Sequence, residues 1–129
     1  MPLIRISLRV GKPAAYRAAL SEGVYAALRA SFDVPEDDRF VLIHEHAADA
    51  FAYGATYLGV ARSDDLVIVQ ITCNDTRNRA QKRALYRRIV DNLTDDPGLR
   101  PEDVFINLVE VKAENWSFGN GLAQYADRA

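Results

Sequence analysis

The sequence predicts an α/β (α+β) chain made of two β-α-β units, and three observations carry that expectation. Short apolar or alternating runs stand near 4–10, 40–43, 66–71 and 104–111. Between the first and second runs, and again between the third and fourth, apolar residues recur at helical spacing instead. The turn before each closing run is also nearly the same text: Pro35-Glu36-Asp37 followed by Phe40, then Pro101-Glu102-Asp103 followed by Phe105. Such internal duplication gives strand, helix, strand, twice over. A chain of 129 residues is expected to be one domain, 1–129, with half-repeats at about 2–46 and 66–111 and a tail at 112–129.

In chain order, Ile4, Ile6, Leu8 and Val10 alternate with Arg5, Ser7 and Arg9, the pattern of a half-buried strand. Pro13 stands where a first helical turn tolerates proline. After it Tyr16, Leu20, Val24, Ala27 and Leu28 share one helical face. Val34-Pro35-Glu36-Asp37 turns the chain into the run Phe40–Ile43. The polar, Gly-containing segment 47–65 connects the halves without separating two cores. Leu66–Ile71 is almost continuously apolar, as in a strand buried on both faces. A helix from about Asn78 to Leu93 sets Leu85, Tyr86, Ile89, Val90 and Leu93 on one side. Its other side carries Arg79, Lys82, Arg83 and Arg87, a solvated face, and Asp96-Pro97-Gly98 stops it. Val104–Val111 closes the second unit. Right-handed crossovers then put four strands in one sheet with both helices on one face. The opposite face is expected to be apolar and bare, and so to meet a partner in an oligomer. The tail, with Trp116-Ser117-Phe118-Gly119-Asn120-Gly121, reads as a short hairpin or a cap.

Composition excludes several classes. Apolar residues at 49% and charged residues at 26% describe a globular chain rather than a disordered one. Sixteen basic side chains against eighteen acidic ones leave a net charge of −2, so there is no basic field for nucleic acid. No apolar run approaches the roughly 20 residues of a membrane span, and no signal pattern opens the chain, so a cytoplasmic protein is expected. The lone cysteine, Cys73, reads as a structural thiol at a strand end.

Few residues can carry chemistry. Pro2 follows an initiator Met1, whose removal would expose a secondary amine; burial or nearby arginines would lower its pKa toward neutrality. With Met1 attached, the Pro2 nitrogen is an amide with no basic lone pair. His44 and His46 fall on one face of a strand about 6.6 Å apart. No third His and no second Cys complete a metal site, so they read as a structural pair and no metal is expected. Asp37 has a counterpart in Asp103 and reads as a turn cap. Asp38 has none, because Val104 follows directly in the second copy. Arg77 and Arg79 open the second helix, where guanidinium groups suit a carboxylate ligand.

Together these features resemble the tautomerase superfamily, and within it the malonate semialdehyde decarboxylase group. The matching stretches are Pro2-Leu3-Ile4, Val34 through Phe40 with Asp38, Arg62-Ser63, the region of Arg77, Trp116 through Gly121, and Ala123-Gln124-Tyr125. The resemblance implies a homotrimer of duplicated β-α-β units without metal or organic cofactor. It implies that Pro2 is the catalytic group assisted by Asp38, that arginines hold a carboxylate, and that Trp116 and Phe118 form an apolar wall. One departure stands out. The decarboxylase pattern has two arginines one residue apart before the helix; aligned through Gln81-Lys82, Asp75 replaces the first, whereas a shifted register pairs Arg77 with Arg79.

The resemblance implies first a decarboxylase of a small β-oxo acid such as malonate semialdehyde. The alternatives are a keto–enol tautomerase or a hydratase of small 2-oxo or unsaturated acids, and a trimeric binding protein without chemistry.

Overall fold

In the computed structural model, which describes residues 1–127, the chain runs β1 (Leu3–Arg9), α1 (Ala14–Phe32), β2 (Val41–His46), β3 (Val67–Asn74), α2 (Arg79–Asp95) and β4 (Val104–Val111). The sheet order is β2-β1-β3-β4. β1 runs parallel to β2, β3 parallel to β4, and β1 antiparallel to β3 where the halves meet. The duplication is visible in the register. Ile4 opposes Val41 in the first half as Val67 opposes Val104 in the second, with the same offset along the chain.

Local sequence accounts for the helix ends. Pro13 lies just outside α1, as its N-cap with extended backbone, rather than within the first turn. Asp33, in the left-handed region at φ 53°, terminates α1. α2 opens on a capping box: the Asn78 side chain accepts from the Gln81 amide and the Gln81 side chain accepts from the Asn78 amide, both at 2.9 Å. Past its end, the amides of Gly98 and Leu99 both donate to the Leu93 carbonyl.

Both helices cover one face. Leu20, Val24, Leu28 and Phe32 of α1 and Leu85, Ile89 and Leu93 of α2 pack on Ile4, Ile6, Val69 and Ile71. The helices approach closely at Gly23, whose carbonyl accepts from Asn92 Nδ2 at 2.9 Å. A Cβ at Gly23 would lie 2.7 Å from Leu93 Cδ2, so the residue there must be small.

Three expectations need correction. β3 is not buried on both faces: Val67, Val69, Ile71 and Cys73 are buried, Ile68 and Thr72 are half-buried, and Gln70 is exposed. With both helices on one side, a single chain covers only one face of its central strands. That far face is not simply apolar either. Leu42, Phe105 and Val109 are exposed on it, but Arg5, Gln70 and Asn107 form a polar row across its middle, with Gln70 Nε2 donating to Asn107 Oδ1 at 3.1 Å. The tail takes the form of a cap, not a hairpin; among its described residues no strand forms. Gly119, Asn120 and Gly121 all have positive φ, which coils the chain instead of extending it. Gln124 then holds the coil, accepting from the Phe118 amide and donating to the Gly119 carbonyl.

Candidate active site

The start of β1, the turn after α1, the link from β3 to α2 and the tail converge at one end of the sheet. Antiparallel pairing of β1 with β3 reaches Leu3↔Thr72. Extending the same register by two residues, past the end of β1, would set Met1 across from Asn74, and both border the same cavity. Pro2 is buried beneath this point, and so is Met1. The Met1 amino group donates to the Asp38 carboxylate, and the Met1 sulfur accepts from the Tyr125 hydroxyl at 2.7 Å. Burial holds this amine below its ordinary value of 8.0; Asp38 opposes that shift and the Arg77 charge adds to it.

Asp38 owes its place to three residues that the second repeat lacks. In the first copy Asp38, Arg39 and Phe40 intervene between Asp37 and Val41, whereas Asp103 runs directly into Val104. The Asp38 amide donates to the Pro35 carbonyl at 3.1 Å, and the Ile4 amide donates to the Phe40 carbonyl at 2.9 Å, which pins the extra loop against β1. The matched aspartates part company. Asp37 is exposed, but Asp103 is fully buried and accepts from the Ser63 amide at 2.7 Å and the Ser63 hydroxyl at 2.6 Å.

Arg77 lies between β3 and α2. Its Nη2 donates to the Phe32 carbonyl at 2.7 Å and its guanidinium carbon sits 4.7 Å from the Phe32 ring centroid, so the last turn of α1 orients the fork. Met1, Asp38, Asn74, Thr76, Arg77 and Tyr125 border a cavity of about 380 Å³, with Val34 and Pro35 supplying apolar wall. One anion, one cation and the chain's amino group thus face one space sized for a small molecule.

The structure brings Asp38 and Arg77 together at the cavity with Met1, leaves Pro2 buried next to Met1 and not bordering the cavity, and leaves Arg79 exposed as the first residue of α2, outside it. Trp116 and Phe118 stack with centroids 5.4 Å apart, and Phe118 meets the Tyr125 ring edge-on at 4.8 Å. The aromatic wall therefore reaches the cavity through Tyr125. The Trp116 indole N–H also donates to Asn74 Oδ1 at 2.7 Å. Sequence reasoning missed Asn74 and Thr76, since polar residues ending a strand look like turn formers. It quoted Tyr125 without giving it a role. His46 packs against Phe51 with centroids 5.7 Å apart, and no cluster of three metal-ligating side chains occurs among the described residues. Cys73 is buried in the core, where burial pushes its thiol pKa up.

Two family models, each described as tautomerase enzyme, match residues 38–119 and 2–61. The chain is 40% identical to the probable tautomerase YusQ of Bacillus subtilis (strain 168), over 96% of this chain and 98% of that one.

The chain belongs to the tautomerase family.

A crystal structure of malonate semialdehyde decarboxylase superposes on this chain with a TM-score of 0.90 at 30% identity, covering 96% of this chain and 95% of that one. The FG41 malonate semialdehyde decarboxylase inhibited by 3-bromopropiolate gives a TM-score of 0.90 at 31% identity, covering 96% and 94%. The family and these relatives identify a tautomerase-superfamily enzyme with the decarboxylase-like fold. Among the described residues no helix is long and apolar enough to cross a membrane. The opposite end of the sheet, related by the repeat, holds a smaller cavity of about 240 Å³ whose bordering charges pair among themselves. There Lys12 pairs with Asp65 at 2.7 Å, Arg9 with Asp64 at 3.1 Å, and the Tyr53 hydroxyl donates to Asp64 at 2.7 Å.

Proposed function

We propose that this tautomerase-family enzyme uses Pro2, freed by removal of Met1, to decarboxylate a small β-oxo acid such as malonate semialdehyde. The observation that carries the reading is the convergence of the chain's amino group, Asp38 and Arg77 on one cavity of about 380 Å³. Removing Met1 would vacate the buried volume between Asp38 and Tyr125 and leave the Pro2 amine bordering it. Arg77 would hold the substrate carboxylate, and Arg79, exposed at the start of α2, is a further candidate for the same anion. The Pro2 ammonium would donate to the carbonyl oxygen. As the bond to the carboxylate breaks, its electron pair moves into the polarised carbonyl and CO₂ departs. The resulting enolate takes a proton at carbon and leaves as an aldehyde one carbon shorter. Asp38, beside the amine, keeps a positive charge there favourable. Trp116 and Phe118, through Tyr125, would keep water from the departing carboxylate. No step calls for a metal or organic cofactor.

A keto–enol tautomerase is the second reading: the burial that lowers the Met1 amine would, acting on a freed Pro2, enrich a neutral base. The two differ in sign. Decarboxylation needs protonated Pro2 and falls as pH rises through its pKa; tautomerisation needs the neutral amine and rises over the same range. The decisive experiment separates processed from Met1-retaining protein by mass and assays both with malonate semialdehyde and an enol pyruvate. Processed protein should turn over one of them and the Met1-retaining form neither. Equal activity in the two forms would remove Pro2 from the mechanism.

A further inference from the structure

Asn74 has a constraint that its neighbours lack. An indole N–H can only donate, so the Trp116 bond fixes Oδ1 of the Asn74 amide toward the ring. The amide nitrogen, with two N–H groups, is thereby turned away from Trp116. Among the described residues it has no hydrogen-bond partner, and Asn74 borders the cavity. Asn74 ends β3, whose pairing with β1 reaches Leu3↔Thr72, and it borders the same cavity as Met1, whereas Arg77 is tied to the end of α1. One cavity is thus bordered by a neutral amide donor and by a guanidinium.

We propose that Asn74 Nδ2 donates to the carbonyl oxygen of the substrate, and that Trp116 is the positioning residue that keeps this amide from flipping. The assignment rests on the oxo-acid reading and specifies which ligand atom a neutral donor recognises. A positively charged side chain here would attract a second carboxylate. An amide favours an uncharged oxygen, so the site takes acids with one carboxylate and a nearby carbonyl.

The test uses processed protein and two competitive ligands of similar size, acetoacetate and butyrate, the second lacking the carbonyl. Asn74→Leu should weaken acetoacetate about five- to tenfold, as for one uncharged hydrogen bond, and leave butyrate unchanged. Asn74→Asp keeps an acceptor for Trp116 and so guards against misfolding; it should again penalise acetoacetate more than butyrate. Trp116→Phe keeps the ring and frees the amide. It should reproduce part of the acetoacetate loss, and its effect should vanish in an Asn74→Leu background. Equal losses for both ligands, or none for either, would overturn the role of Asn74 while leaving the oxo-acid reading standing. Failure of the unaltered processed protein to bind either acid would overturn both.

Discussion

Arg77 and Asp38 both act on the Met1 amine and shift it in opposite senses. Replacing Arg77 by Ala should weaken binding and turnover of a small oxo acid together, by about 1.5–3 kcal/mol, the range for a charge-assisted hydrogen bond. Arg83, exposed on α2, is the control and should leave the kinetics unchanged. Because Arg77 also donates to the Phe32 carbonyl, a thermal melt of the variant distinguishes a loosened α1 terminus from a lost ligand contact. Equal kinetic effects at Arg77 and Arg83 would refute the assigned role. Asp38 was legible in the sequence because comparing the two turns left it without a counterpart. Asn74 was not, because its importance comes from a strand register and from an indole 42 positions away along the chain. Nothing in a linear pattern brings those two together.

At the scale of elements, hydrophobic period placed all four strands and both helices, because each buries a single face or stripe and repeats accordingly. The same signal could not tell a cap from a hairpin after β4. The glycines of the tail announce a turn but do not say whether the segments beside it pair. Nor could it separate Asp37 from Asp103, which share their local text. The structure does, and this predicts unequal mutants. Asp103→Ala strands the Ser63 amide and hydroxyl beneath the start of β3 and should cost about 3 kcal/mol in urea unfolding. Asp37→Ala, on an exposed turn, should stay within about 0.5 kcal/mol of the parent. Similar losses at both positions would mean that the Ser63 anchor contributes nothing.

For the whole molecule, the uncovered sheet face is the feature a single chain cannot resolve. Leu42, Phe105 and Val109 lie exposed around the Arg5, Gln70 and Asn107 row, an arrangement suited to a partner with both apolar and hydrogen-bonding groups. A homotrimer joined through this face is the assembly we expect. Light scattering at micromolar concentration should return three times the chain mass of 14.4 kDa. A monomer would refute it, and Phe105→Glu should shift a true trimer toward smaller species. The sequence indicated that something covers this face, since both helices had to fall on the other side. It could not indicate how polar the face would be, because Gln70 interrupts a run otherwise read as apolar.

The three residues Asp38-Arg39-Phe40, present in one repeat and missing from the other, also bear on stoichiometry. A perfectly duplicated unit has two equivalent ends and invites two ligands per chain. Here one end has an added acid facing the chain's amino group, while at the other Lys12 and Arg9 are neutralised by Asp65 and Asp64. Duplication has therefore yielded two unlike cavities, one of about 380 Å³ that holds the chain's amino group and one of about 240 Å³ whose cations already have carboxylate partners. An amine-directed acetylenic acid should accordingly add once per chain, however large the excess.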